Sequence, residues 1–134
     1  MLKIHKEDVI EIYNFLIDLT GGRKGIKDEA LLDSAINSAY QTFGGLEIYP
    51  TVEEKAARIG YGLIANHAFL DGNKRIGMLI MLSFLEVNQI DINFSDNDII
   101  NLGVALASGK AEYKDVLKWI NNHKEKINTY NLDM

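Results

Sequence analysis

The chain has 134 residues, an ordinary size for one domain, and we predict that residues 1–134 form a single domain. With 47% hydrophobic and 25% charged residues it can bury one core, which excludes a disordered tail. A net charge of −5 argues against direct nucleic-acid binding, because such surfaces are basic. The absence of cysteine excludes disulfides and thiolate metal sites.

Nothing in the sequence predicts a membrane segment. The longest apolar stretch, Ile76–Leu85, is about half of the roughly 20 residues that span a bilayer. The charges near the amino terminus come too early for the apolar part of a signal peptide. We therefore predict a cytoplasmic protein.

Apolar residues that recur every three or four positions predict six helices. In chain order they run from about Lys6 to Leu19, Asp28 to Tyr40, Thr51 to Asn66, Gly72 to Asn88, Ser95 to Ala107 and Glu112 to His123. The pairs Thr51/Glu54 and Ser95/Asp98 favour helix starts, and the last ten residues are predicted to fray. The fourth helix is apolar nearly all round, so we predict an all-α bundle with this helix buried at its centre.

Two short segments are β-prone. Thr42–Phe43 and Leu46–Tyr49 flank a Gly–Gly pair, a pattern that favours a small hairpin flap and an ordinary loop about equally. Residues 89–94, QIDINF, alternate in polarity and predict a short strand or an extended connector.

Reactive side chains are concentrated at the start of the fourth helix. Gly72 allows a sharp turn, and Asn73, Lys74 and Arg75 follow in the first helical turn. This end of a helix carries free N–H groups and a partial positive charge, so each cation there costs about 0.3–1 kcal/mol. A bound anion would resolve the mismatch, and phosphate is the natural candidate.

Two residues before the helix suggest chemistry on that phosphate. Asp71 is a candidate ligand for Mg²⁺, which takes one or two carboxylates together with phosphate oxygens. His67 is a candidate general base, because histidine is the side chain whose ordinary pKa lies near physiological pH. Phe69 lies between them and is expected to point inward and anchor the loop.

The segment HAFLDGNKR, residues 67–75, resembles the Fic/Doc superfamily signature H-x-F-x-[D/E]-G-N-G-R-x-x-R. Lys74 replaces a glycine of that pattern and Met78 replaces its second arginine. Both departures are typical of the Doc (death on curing) toxin branch. Residues 25–45, 49–69 and 84–92 also resemble Doc segments in the same order, so the resemblance covers nearly the whole chain.

The resemblance implies a Fic/Doc-like fold and a toxin that transfers the γ-phosphate of MgATP to a protein hydroxyl. His67, Asp71, Lys74 and Arg75 would be catalytic, Asp71 would bind Mg²⁺, and Gly72–Arg75 would hold ATP. It also implies a translation protein resembling elongation factor Tu as substrate, a target segment held by the flap, and an antitoxin whose tail folds on binding.

Three alternatives remain open at this stage. Fic-type members transfer AMP instead of phosphate, and Gly72 is compatible with that chemistry. A non-catalytic binding module could keep the fold without the reaction. Ser108 and Glu112 have the spacing of an inhibitory helix found inside some Fic proteins, but Tyr113 breaks that pattern and Gly109 interrupts the segment.

Overall fold

The six predicted helices are present in the structure, a computed structural model that describes residues 1–125. The α-helices are α1 (Lys6–Thr20), α2 (Glu29–Asn37), α3 (Val52–Asn66), α4 (Asn73–Val87), α5 (Asp96–Ala107) and α6 (Tyr113–His123). The prediction of an all-α fold is confirmed. The last predicted turn of the second helix is a tighter 3₁₀ turn, Ser38–Tyr40. The predicted fraying concerns residues that, apart from Glu125, lie outside the described part of the chain.

One hydrophobic cluster receives buried side chains from all six helices. Helix α3 packs against α2, α4, α5 and α6, while α1 packs against α4 and α2. Helix α4 is central as predicted, with Ile76, Ile80 and Phe84 almost fully buried. It is not enclosed on every side, because Leu79 and Leu82 are only half-buried.

The crossing of α3 and α4 depends on two glycines. A Cβ atom on Gly77 would lie 2.5 Å from Cγ1 of Ile64 and 2.9 Å from the carbonyl oxygen of Gly60. A Cβ atom on Gly60 would in turn lie 3.3 Å from the carbonyl oxygen of Gly77. The two backbones can therefore approach closely. This contact fixes where α4 begins relative to the end of α3, which is where the candidate site lies.

Residues 42–47 form a hairpin, which resolves the two readings of that segment. Strands β1 (Thr42–Phe43) and β2 (Leu46–Glu47) pair antiparallel across Gly44 and Gly45, whose φ angles are +58° and +81°. Positive φ at both turn positions matches the twist of a two-residue hairpin. The buried ammonium of Lys55 in α3 donates to Glu47 Oε1 at 3.0 Å and to the carbonyl oxygen of Tyr49, so the hairpin is tied to the helical body.

Residues 89–94 form an extended connector rather than a strand. Ile92 makes an isolated antiparallel bridge with Lys124, and the backbone N–H of Asn93 donates to the carbonyl oxygen of His123 at 2.8 Å. Within residues 1–125, no helix has both the length and the apolar character needed to cross a membrane.

Candidate functional site

The site is built on the loop that joins α3 to α4, residues 67–72, which we call the site loop. Helix α3 ends at Asn66, and His67 turns the chain in the left-handed region, with φ 49° and ψ 48°. Such a conformation is uncommon for a residue other than glycine. It leaves the His67 side chain exposed. Phe69 is buried as predicted, and its ring stacks on Tyr13 with centroids 3.8 Å apart.

A backbone segment between α1 and α2 supports the site loop from one side. The N–H of Leu70 donates to the carbonyl oxygen of Gly25 at 2.9 Å. The N–H groups of Lys27 and Asp28 donate to the carbonyl oxygen of Ala68 at 2.8 and 3.0 Å. These bonds pair the loop with an extended neighbour, so its backbone is held along most of its length.

Asn73 closes the site loop from the other side. Its side chain is largely buried, with Oδ1 accepting from the N–H of Phe69 at 3.0 Å and Nδ2 donating to the carbonyl oxygen of Phe69 at 3.0 Å. This amide therefore fixes the loop. What Asn73 can offer an anion in this conformation is its backbone N–H at the start of α4.

The amino terminus of α4 differs from the starts of the other five helices. At each of those starts a side-chain oxygen accepts a hydrogen bond from a nearby backbone N–H, and the acceptors belong to Asp8, Asp28, Thr51, Ser95 with Asp98, and Asp115. Each also has an acidic residue in its first turn. Helix α4 follows Gly72 (φ 79°), whose N–H donates to Asp71 Oδ1 at 2.8 Å, but it alone of the six described helices has no acidic residue in its first turn, where Lys74 and Arg75 lie. Its free N–H groups and partial positive charge are thus available to an external anion.

One cavity brings the predicted residues together. It has a volume of about 320 Å³ and is lined by His67 and by Leu70–Arg75, so it contains every residue of the predicted site. A second cavity of about 210 Å³ shares Lys74 and Arg75 as walls and is otherwise lined by Met78, Ile99, Ile100 and Gly103. The polar cavity at the helix end and the apolar cavity between α4 and α5 are therefore adjacent, with Lys74 and Arg75 between them.

Asp71 and Arg75 face each other in this conformation. Arg75 Nη2 lies 3.6 Å from Asp71 Oδ1, and Arg75 Nη1 donates to the carbonyl oxygen of Gly21 at 2.9 Å and to Thr20 Oγ1. Lys74 is exposed and forms no ion pair within residues 1–125. Lys74 is thus the cation most directly available to a ligand. Arg75 could bind a ligand only by giving up one of its present contacts.

Asp71 could hold a metal ion only if a bound molecule supplied further coordinating atoms. Its carboxylate is about half exposed and lines the polar cavity. Within the described residues no group of three or more histidine or acidic side chains could hold a metal ion. A divalent cation at Asp71 would therefore need phosphate oxygens and water to complete its coordination, which is the usual pattern for Mg²⁺.

Sequence reasoning missed the contribution of the loop after α1. The backbone N–H of Arg23 donates to Asp71 Oδ2 at 3.3 Å. A Cβ atom on Gly22 would lie 2.6 Å from the same oxygen, so only glycine fits beside this carboxylate. The run GGRKG, residues 21–25, is glycine-rich and basic, and that composition was the available signal.

The possible inhibitory segment is not one helix. Ser108 caps the end of α5, Glu112 precedes α6, and Gly109 lies between them with φ +77°. The two residues therefore do not share the helical face that such an inhibitor needs.

Comparison with known proteins identifies the family. A protein of *Mycolicibacterium smegmatis* (strain ATCC 700084 / mc(2)155) named Toxin Doc is 33% identical over 89 residues. That match covers 66% of this chain and 66% of the relative, so it spans slightly less than two thirds of the relative's length. The model of the Fic/DOC family matches residues 3–85, which include α1–α3, the site loop and most of α4. Because this match spans more than half of the sequence, the chain belongs to the Fic/DOC family.

Proposed function

We propose that the protein is a Doc-type toxin that transfers the γ-phosphate of MgATP to a serine or threonine hydroxyl of another protein. One observation carries the proposal. A single cavity is lined by a histidine, a carboxylate and two cations at the only one of the six described helix starts that has no acidic residue in its first turn. Family membership and the 33% identity to Toxin Doc support the same reading.

The roles follow from position and charge. His67, exposed at the end of α3, would accept the proton of the acceptor hydroxyl as its oxygen attacks the γ-phosphorus. The bond between that phosphorus and the bridging oxygen breaks, and ADP leaves. Lys74, Arg75 and the N–H groups of α4 would stabilise the charge on the transferred group. Mg²⁺, held by Asp71, would supply further neutralisation of the phosphates.

Lys74 favours phosphate transfer over AMP transfer. A glycine at this position would leave the helix end open, whereas the lysine stem lies against α5, where a Cβ atom on Gly103 would be 3.3 Å from Lys74 Cδ. Met78 is largely buried and lines the apolar cavity, at the position where AMP-transferring relatives have a second arginine. The apolar cavity beside Lys74 is a suitable place for a nucleobase, because its described lining is hydrophobic apart from the two cations.

The hairpin is the proposed site for the target segment. Phe43 and Leu46 pair across the hairpin and are 83% and 76% exposed, so they form a small apolar patch. The short strands offer backbone groups that an extended peptide can pair with. The proposed target is a translation protein resembling elongation factor Tu, and the proposed partner is an antitoxin whose tail folds onto the toxin.

The proposal is tested with ATP labelled at either the α- or the γ-phosphate, incubated with the protein and a bacterial lysate. We expect γ-label on one protein band and none with α-label. His67→Ala should reduce the labelling by about 10²–10⁴, the usual effect of losing a general base. His123→Ala is the matched control, because His123 pairs with Asp98 and stacks on Trp119 outside the cavity. Equal labelling by both variants would refute the role of His67.

The same assay separates the alternatives. Label transferred only from α-labelled ATP would replace the proposal with AMP transfer. Lys74→Gly should move the donor preference towards AMP transfer if Lys74 sets the orientation of the nucleotide. Growth arrest that is unchanged by His67→Ala would indicate a binding module rather than an enzyme.

A further inference from the structure

A buried tyrosine of α1 contacts the site loop at the peptide that joins Asp71 to Gly72. Tyr13 is 1% exposed, and its ring stacks on Phe69 at an interplanar angle of 15°. Its hydroxyl donates to the carbonyl oxygen of Asp71 at 2.8 Å and lies 3.3 Å from the carbonyl oxygen of Arg23. The ring and the hydroxyl therefore contact the loop in two separable ways.

The hydroxyl and the Asp71 carboxylate are coupled through one peptide unit. The carbonyl oxygen of Asp71 and the N–H of Gly72 belong to the same planar peptide, and they point in opposite directions. Tyr13 binds the oxygen, while the N–H donates to Asp71 Oδ1 at 2.8 Å. Rotation of this peptide would break both bonds. The direction of the carboxylate thus depends on the hydroxyl of Tyr13.

This peptide needs such a restraint. It precedes Gly72, which is the residue before α4 and has φ 79°. Glycine populates positive and negative φ about equally. The sequence Asp–Gly therefore does not by itself select one peptide orientation. Tyr13 supplies an anchor from α1, which packs against α4.

We propose that Tyr13 is a positioning residue that holds the Asp71 carboxylate towards the cavity for a divalent cation. The inference rests on the proposed function, in which Asp71 is the metal ligand. Tyr13 does not line the polar cavity, and its shorter hydroxyl contact is to the 71–72 peptide, through which it would act. Groups that orient a metal ligand typically change metal affinity by about 10–100-fold when they are removed.

The test uses Tyr13→Phe, which keeps the ring stack and removes the hydroxyl. Tyr40→Phe is the matched control, because the Tyr40 hydroxyl accepts from the N–H of Ile4 at 3.1 Å and does not line the cavity. ATP binding is measured by calorimetry at a series of Mg²⁺ concentrations, in a His67→Ala background that prevents turnover. We expect Tyr13→Phe to raise the half-saturating Mg²⁺ concentration about tenfold and Tyr40→Phe to leave it unchanged. An unchanged Mg²⁺ dependence in Tyr13→Phe would overturn the inference.

Two further measurements separate positioning from general destabilisation. In an Asp71→Asn background, Tyr13→Phe should have no additional effect on the Mg²⁺ dependence, because both residues act through one carboxylate. In the ligand-free protein, Tyr13→Phe should shift the Gly72 amide resonance and speed its hydrogen exchange. Absence of ATP binding in the parent protein would refute the proposed function alone. The positioning role would then stand or fall on the Gly72 amide.

Discussion

Lys74 allows the anion site to be tested without any enzymatic assay. It is the second residue of α4, exposed and without an ion pair within residues 1–125. A cation in the first turn of a helix opposes the helix dipole by about 0.3–1 kcal/mol. Lys74→Gln should therefore stabilise the free protein by about that amount, towards the lower end because the side chain is in water.

The same substitution should weaken anion binding. At a tripolyphosphate concentration of ten times the dissociation constant, the wild-type protein should gain about 1.4 kcal/mol in free energy of unfolding. Lys74→Gln should lose most of this gain at the same concentration. The unfolding free energy is measured by urea denaturation at low salt, with and without tripolyphosphate.

Lys114→Gln provides a matched control. Lys114 is also the second residue of its helix, α6, and it is also exposed, but it does not line the cavity. Its substitution should give a similar small stabilisation and leave the gain from tripolyphosphate intact. If Lys74→Gln destabilised the free protein, or if tripolyphosphate still stabilised it fully, the anion-site reasoning would be wrong.

Three further predictions concern the framework of the site. Gly77→Ala should lower the free energy of unfolding by about 2 kcal/mol, because the new Cβ overpacks the α3–α4 crossing. Gly60→Ala should lower it less, because its new Cβ meets nothing closer than 3.0 Å. Equal losses for the two variants in urea denaturation would contradict this. Lys55→Met should release the hairpin and speed chymotryptic cleavage within residues 42–48, whereas unchanged cleavage would argue against the anchor. Hydrogen bonds from Ser95 lower the pKa of Asp98, so its stabilising effect is present above the ordinary carboxyl pKa and is lost as pH falls through the lowered value. Asp98→Ala should therefore shift the urea midpoint more at pH 7 than at pH 3, and a constant shift would exclude this linkage.

The helices could be predicted because their signals are local. The pairs Thr51/Glu54 and Ser95/Asp98 form hydrogen bonds at the predicted helix starts, and apolar spacing marks each buried face. The hairpin was ambiguous for a physical reason. Two glycines permit a tight turn without requiring it, and its anchor to Lys55 is a tertiary contact that leaves no periodic trace.

The site residues were recognisable as a group, but their contacts were not. His67–Arg75 is one short segment, so the sequence alone indicated that these residues would lie together. Tyr13 lies 58 positions from Asp71, and Thr20 lies 55 positions from Arg75. No local pattern predicts contacts at such separations. The role of Asn73 was also hidden, because an amide that can face a ligand can equally close a loop.

These long-range contacts show how an acidic chain could maintain the proposed phosphate site. The Asp71 carboxylate and the Arg75 guanidinium offset each other, so Asp71, Lys74 and Arg75 together give the cavity a net charge of about +1. That charge lies at a helix end whose N–H groups are free. When Arg75 turns to a phosphate, its charge moves away from Asp71, and a cation bound at Asp71 would replace that charge. Binding of the metal at Asp71 and binding of the phosphate at Arg75 should therefore be mutually dependent, so each should strengthen the other by the same factor.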